Sequence, residues 1–407
     1  MINIYIINEY ITSQKNGIGT YIRELINLLI NHLNIEIYLI ELNYPTKEFE
    51  IIRENKLTRI CFPTTPNYFM TNSFIVPCLI KLYYKDSENN IFLFNHSPSN
   101  GLIRSIKDYF PLSKIVFIVH DLSWTSPLFG NKALFEDIMN NNKTEYKEII
   151  EETVKFKQQL KLINKTICLS QVTANLLIQY YDAKKENIDF IPHFLKDQRS
   201  PISAIERKKI KQDFGIKTNE RIIISVGRLT KTKGTYVLIN AFKNILDKYP
   251  KTKLILIGSM SNPDNLLKHC SDIRSQIIFT GHISFEELKK WYQIADVGVI
   301  PSYTEQIGYN GIEMLMFGLP IVTSDRFGVE DMFQNFVNAI IAKIEDYNDS
   351  TKFKKNLSVS VIEILSSKKL QKALRKSARI TYENQYTSKQ ALINYQKIFS
   401  ENIHDIT

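Results

Sequence analysis

Short apolar runs of strand length alternate along this chain with longer segments in which apolar residues recur every three or four positions. Residues 2–7, 35–40, 91–94, 115–119 and 166–169 form one series of runs, and 221–227, 253–257, 277–279, 297–300 and 321–323 form a second. Nearly continuous apolar strands separated by amphipathic helices predict mostly parallel sheets with helices packed on them. Two series predict two sheets, and hence an α/β protein of two domains. Between them, Asp197-Gln198-Arg199-Ser200-Pro201 is polar and carries a proline, so the boundary is expected near residue 197. The domains are then 1–197 and 198–384, followed by a segment with Tyr386, Leu392, Ile393, Tyr395, Ile398 and Phe399 at helical spacing. That segment needs a surface to cover; packing on the second domain is the simplest expectation.

Composition narrows the class. A chain of 407 residues exceeds one ordinary core and suits two domains of about 200 residues. The formal net charge of +10 points to an anionic partner or surface, with nucleotides, nucleic acids and acidic lipids all compatible. The basic stretches Arg207-Lys208-Lys209-Ile210-Lys211 and 368–379 carry apolar residues at helical spacing and read as solvated amphipathic helices. No stacking-aromatic motif accompanies the charge, so no nucleic-acid partner is expected. Cys61, Cys78, Cys168 and Cys270 are scattered without metal-ligand spacing, which fits a reducing compartment. The first residues lack the basic start and cleavage site of an export signal, so a cytoplasmic location is expected. The most apolar stretch, 74–84, contains Pro77 and Lys81 and is far short of the roughly 20 residues that span a bilayer. Any membrane contact would be peripheral, on the inner face.

Candidate chemistry gathers in the second half. Glu305 and Glu313 stand eight positions apart, a step that turns an ideal helix through roughly 800° and would leave them about 80° apart. The segment must therefore break. Pro301-Ser302 ends the strand 297–300, Glu305 falls on a loop, and Glu313 on a helix that Gly318 and Pro320 terminate. The amides of Ile307, Gly308 and Tyr309 would suit sugar hydroxyls or phosphate oxygens at that helix start. Upstream, Gly227-Arg228-Leu229-Thr230-Lys231-Thr232-Lys233-Gly234 follows a strand and could set Arg228 and Lys233 against a diphosphate, the first as a fork and the second as a point charge. Lys231 would project differently and stay solvated. In Gly281-His282-Ile283, backbone groups could meet a nucleobase edge, although a capping box of Ser284 and Glu287 explains the polar residues equally well.

In the first half, Gly17 and Gly19 open a helix and permit close approach to an anion. The Gly-x-Gly-x-x-Gly fingerprint is incomplete because position 22 is isoleucine, which disfavours a dinucleotide. His120-Asp121 and Asn95-His96-Ser97 end two strands at the edge where α/β proteins bind ligands; each histidine is read either as a turn residue or as part of a site, His96 on the acceptor side. Ser170 either caps a helix or joins them.

Taken in order, Val226-Gly227-Arg228-Leu229 to Lys233-Gly234, Gly281, Ala295-Asp296, Pro301-Ser302, Glu305 to Gly308, Glu313 and Gly318-Leu319-Pro320 resemble the retaining glycosyltransferases of family 4, over almost the whole chain. The resemblance implies a GT-B architecture: two Rossmann-like domains facing across a cleft, donor held mainly by the second, acceptor by the first, and a C-terminal helix crossing back to the first. It implies that Arg228 and Lys233 hold the donor diphosphate, that Glu305 meets the transferred sugar and Glu313 the ribose, and that Gln306, Ile307 and Gly308 add main-chain contacts. Gly17 and Gly19 would lie by the diphosphate and His120 near the sugar. The chain departs from the family at Gly17-Ile18-Gly19, where adjacent glycines are usual, and at Pro192-His193-Phe194, where an Asn-Gly pair is usual.

The implied activity is sugar transfer with retention from a nucleoside diphosphate donor, UDP- or GDP-linked, to an acceptor hydroxyl in surface glycan or glycoconjugate synthesis. No cofactor is expected, and the lack of an Asp-x-Asp element fits a metal-independent site. A sugar-nucleotide epimerase and a catalytically silent sugar-nucleotide-binding subunit are the alternatives. Acceptor choice would rest on loops at 68–84 and 124–142, with a lipid-linked glycan, a soluble glycan or a peptide all open.

Overall fold

The computed structural model describes residues 2–10, 17–32, 34–64, 68–95, 99–304, 308–347 and 349–404. Contacts divide the chain into two compact units. The first comprises Met1–Ser123, Glu136–Phe194 and Ser388–Thr407, and the second Trp124–Phe135 and Leu195–Thr387.

Along the first part of the chain run β1 (Ile2–Glu9), α1 (Gly17–His32), β2 (Ile35–Tyr44), β3 (Glu50–Glu54), β4 (Leu57–Pro63), α2 (Tyr68–Tyr83), β5 (Asn90–Phe94), α3 (Asn100–Tyr109), β6 (Lys114–Val119), α4 (Lys132–Asn141), α5 (Lys147–Leu160), β7 (Lys165–Cys168), α6 (Gln171–Tyr180) and β8 (Ile188–Phe190). The sheet order is β3-β4-β2-β1-β5-β6-β7-β8, and only the β3–β4 pair is antiparallel. Ile4 to Ile7, Ile91 to Phe94 and Ile115 to Val119 are buried without a break, as strands covered on both faces must be. The β3–β4 hairpin was not anticipated. It lies at the sheet edge, β3 buries none of its residues, and its turn places Asn55 at φ 52°, so no continuous apolar run announces it.

The second part carries α7 (Ala204–Asp213), β9 (Arg221–Val226), α8 (Thr235–Lys248), β10 (Thr252–Ile257), α9 (Pro263–His269), β11 (Ile277–Gly281), α10 (Phe285–Ile294), β12 (Val297–Ile300), α11 (Tyr309–Phe317), β13 (Ile321–Ser324), β14 (Ile340–Ala342), α12 (Thr351–Ser366) and α13 (Lys368–Gln385), then α14 (Ser388–His404). Its sheet is all parallel in the order β11-β10-β9-β12-β13-β14. Strand order reverses between β9 and β12, which makes the carboxyl ends of these two strands the place for a ligand in a doubly wound sheet. The core joins Ile223, Leu254, Leu256, Val297, Val299 and Val322 to Leu238, Phe242 and Val361 from the covering helices.

Three expectations change. The basic stretches form helices α7 and α13 and are solvated only in part: Lys208, Lys209, Lys368, Lys369, Lys372 and Lys376 are exposed, while other cations take structural roles. Lys211 is buried and donates to the Glu220 carbonyl at 2.5 Å, Arg207 pairs with Asp296 at 2.9 Å, and Arg375 reaches the Ala295 carbonyl at 3.1 Å. The segment 124–142 is not one acceptor-side loop. Trp124, fully buried, stacks on Phe135 at 4.5 Å and meets Phe327 edge-on at 5.0 Å, so Trp124–Phe135 goes with the second unit. Residues 68–83 are helix α2, not a loop. The C-terminal helix α14 counts with the first unit, where it packs on α1, instead of with the second as simple packing would have it. Among the described residues no helix is long and apolar enough to cross a membrane.

Candidate functional site

Three adjacent strands of the second sheet end in glycines at positive φ: Gly227 after β9 (139°), Gly258 after β10 (134°) and Gly281 at the end of β11 (69°). Backbone hydrogen bonds link them, Gly227 N–H to the Ile257 carbonyl and Gly258 N–H to the Gly281 carbonyl, both at 2.9 Å. A Cβ on Gly258 would stand 2.0 Å from the Gly227 oxygen, so only glycine allows the strand ends to close up. Gly258 escaped the sequence reading, although the same apolar-run-then-glycine pattern recurs in all three strands.

From Gly227 the loop turns back on itself through local bonds. Thr230 Oγ1 accepts from Lys233 N–H at 3.2 Å and lies 3.0 Å from Thr232 Oγ1, while Leu229 N–H donates to the Ser259 carbonyl at 2.8 Å. Gly234, at φ 70°, caps α8, and a Cβ there would meet the Pro301 carbonyl oxygen at 1.9 Å. The loop after β9 is thereby pressed against the loop after β12. Tyr303 N–H donates to the Thr232 carbonyl at 2.9 Å and Lys233 Nζ to the Thr304 carbonyl at 3.4 Å. Arg228 and Lys231 are exposed and Lys233 is half-buried, which separates Lys233 from Lys231 as expected. Glu305, Gln306 and Ile307 lie outside the described residues, as does His96.

Gly308 is the N-cap of α11, with φ −80° and ψ 140°, and Gly318 ends that helix in the left-handed region at φ 64°. In the first turn, Asn310 Nδ2 donates to the Val226 carbonyl at 2.9 Å and ties α11 to the end of β9. Glu313, partly buried on the same helix, accepts from the Tyr292 hydroxyl at 2.7 Å. Burial raises its carboxyl to about 7, against the smaller opposing effect of the Tyr292 hydrogen bond. Nothing in the linear pattern pairs Tyr292 with Glu313; only the packing of α10 does, with Tyr292 stacked on Phe317 at 5.3 Å.

Other anticipated residues take local roles. His282 is exposed, its Nδ1 3.1 Å from the Ile283 carbonyl oxygen. Ser284 caps α10 by accepting from Glu287 N–H at 3.2 Å, whereas a box with both arms forms at Ser203 and Glu206. Asp296 accepts from Ile222 N–H at 2.8 Å and from Arg207, which joins the amino ends of β9 and β12, opposite the glycine edge.

In the first unit, Gly17 and Gly19 form the first turn of α1, exposed and buried respectively. His120 follows β6, with Nε2 2.8 Å from Asn95 Oδ1 at the end of β5. Ser170 is a buried N-cap that accepts from Thr173 N–H at 3.0 Å.

Residues 206–381 match the family model for glycosyl transferases group 1. An uncharacterized glycosyltransferase of Methanocaldococcus jannaschii is 35% identical over 141 residues, 34% of this chain and 36% of the relative. Mannosylfructose-phosphate synthase of Agrobacterium fabrum is 29% identical over 174 residues, 40% of this chain and 38% of the relative. The matches thus span little more than a third of these curated relatives. The solved structure of Anabaena HepE with UDP and glucose is similar at a TM-score of 0.73 and 12% identity, covering 98% of this chain and 100% of that one. The fold is GT-B, and the family match over 206–381 together with these relatives supports a GT-B glycosyltransferase.

Proposed function

We propose that the protein transfers a hexose, with retention and without a metal ion, from a nucleoside diphosphate sugar to an acceptor hydroxyl, in cytoplasmic assembly of a surface glycan. One observation carries the reading: at the reversal of the second sheet, the Gly227–Gly234 and Pro301–Thr304 loops are bonded to each other through Thr232, Tyr303, Lys233 and Thr304. Lys233 is thereby held beside the backbone that leads directly into Glu305. Matches to a glycosyltransferase and a mannosylfructose-phosphate synthase, and the likeness to a protein solved with UDP and glucose, agree with it.

Breaking the sugar–phosphate bond leaves positive charge at the anomeric carbon and negative charge on the departing oxygen. Arg228 and Lys233 stabilise that oxygen more in the transition state than in the ground state. Glu305 orients the sugar, Glu313 accepts from the ribose hydroxyls, and the backbone of His282 and Ile283 meets the base. The departing phosphate takes the acceptor proton as the new bond forms on the same face. In the first unit, His120, Gly17 and Gly19 serve the sugar and the diphosphate, and His96 the acceptor.

A panel of UDP-, GDP- and ADP-sugars scored by thermal stabilisation tests the donor class, since a bound ligand raises stability with its affinity. One sugar nucleotide should shift the melt, and product analysis should find transfer rather than epimerisation. Arg228→Ala should lower turnover by about two orders of magnitude or more with the fold intact, in line with removal of one charge-stabilising group. Unchanged kinetics in that variant would remove Arg228 from the site.

A further inference from the structure

Two tyrosines 374 positions apart share their hydroxyls inside the first unit: Tyr21 on α1 and Tyr395 on α14. Both side chains are fully buried. A buried hydroxyl left without a partner costs about 1–3 kcal/mol, so the pair satisfies a requirement that two phenylalanines would not have imposed. Burial drives the Tyr395 hydroxyl well above its ordinary range, so the link stays uncharged. Phe399 stacks on Tyr395 at 5.8 Å, and Phe194 lies 6.4 Å from it.

The other side of the Tyr21 ring faces two imidazoles. His120 meets it edge-on at 5.0 Å with an interplanar angle of 83°, His193 lies at 5.3 Å, and the two imidazoles are 5.8 Å apart. His193 is one of the residues at which the chain departs from the family pattern. His120 is also tied to Asn95, which is itself fixed. Asn95 is fully buried, its N–H donates to the Ile7 carbonyl at 3.1 Å, and its Nδ2 donates to Asn8 Oδ1 at 3.4 Å. That orientation turns the acceptor Asn95 Oδ1 toward His120 Nε2, a geometry that favours a hydrogen on that nitrogen.

We propose that Tyr21 and Tyr395 are positioning residues for His120: their shared hydroxyls clamp α14 to α1, and the Tyr21 ring, backed by His193, holds the imidazole in the Nε2–H form against Asn95. The C-terminal helix is then a working part of the sugar-side site and not only a cover for the first unit. The catalytic consequence rests on the function proposed above; the geometry does not.

The test uses the full chain with Tyr395→Phe and, independently, Tyr21→Phe, each of which keeps the ring and deletes one hydroxyl. Long-range proton–nitrogen spectra of the histidines report the His120 tautomer and the solvent exchange of its ring N–H. The wild type should show the Nε2–H form with slow exchange. Either variant should speed that exchange by about tenfold or more, the scale of one lost hydrogen bond, and mix the tautomers. Turnover of whichever sugar nucleotide stabilises the wild type should show kcat lowered by a similar factor with KM unchanged, a split that general loosening would not produce. Unchanged His120 signals in both variants overturn the proposal, as does altered geometry with unaltered kcat. Altered signals in a protein that turns over no sugar nucleotide uphold the clamp and refute the function.

Discussion

Glu313 supplies the sharpest quantitative test. Its carboxyl rises from 4.5 to about 7 because the folded chain removes it from water, so in the free protein it is half protonated near neutrality. A rise of that size corresponds to about 3 kcal/mol of preference for the protonated form, at about 1.4 kcal/mol per pH unit. The folded state binds the extra proton, so this group's contribution is intact below pH 4.5, falls as pH rises toward 7, and is fully lost above it. Glu313→Gln keeps an acceptor for the Tyr292 hydroxyl and removes the titration. Wild type and variant should melt alike at pH 4.5. At pH 8 the variant should be the more stable, by as much as about 3 kcal/mol, equivalent to about 2–4 °C per kcal/mol for a domain of this size.

On the function proposed above the ribose hydroxyls would donate to the ionised carboxylate, so the same group should couple proton release to donor binding. Below pH 7 the affinity for the sugar nucleotide identified in the panel should weaken by about tenfold per unit, reaching about 30-fold at pH 5.5, with the dependence absent in the variant. Calorimetric titration from pH 5.5 to 8 reads it directly. Equal pH slopes in wild type and Glu313→Gln would show that donor binding does not ionise Glu313, and would remove it from the ribose.

Two further substitutions probe the frame. Gly258→Ala should cost on the order of 3 kcal/mol, because its Cβ would enter the Gly227 carbonyl and its φ of 134° strains any other residue; thermal melting checks the cost, and the donor shift should vanish as the Arg228 loop moves. Trp124→Ala should cost about 3–5 kcal/mol by opening a cavity against Phe135 and Phe327, whereas Trp124→Phe should retain most of that stability by urea denaturation.

Most of both sheets was legible because parallel strands buried on two faces announce themselves as unbroken apolar runs, as Ile222 to Ile224 and Leu254 to Ile257 do. The hairpin of β3 and β4 was not, since an edge strand with one wet face has no such run. Within the site, Gly227, Gly281, Gly308 and Gly318 could be read from position alone, because a strand end or helix cap dictates glycine. The environment of Glu313 could not: its carboxyl is raised by burial, and the packing of a neighbouring helix, which also brings the Tyr292 hydroxyl to it, has no counterpart in the linear pattern. The Tyr21–Tyr395 pair was illegible for the same reason at larger separation, since a spacing of 374 residues leaves no local signature.

Net charge was the least informative feature, and the reason bears on how the site works. Of the cations in the two basic stretches, Arg207, Lys211 and Arg375 are bound to Asp296, the Glu220 carbonyl and the Ala295 carbonyl, and Arg379 is paired with Asp197. They hold the second unit together. The Gly227–Gly234 loop is built on the opposite plan, from backbone groups and the hydroxyls of Thr230 and Thr232. Because those groups satisfy the loop's own polar needs, among the described residues the exposed Arg228 guanidinium has no hydrogen bond or ion pair, and its charge stays available. A loop stabilised by its arginine would have to break that bond before receiving an anion. One stabilised by threonines and glycines presents the charge in advance, which is the condition for stabilising a departing phosphate without reorganisation.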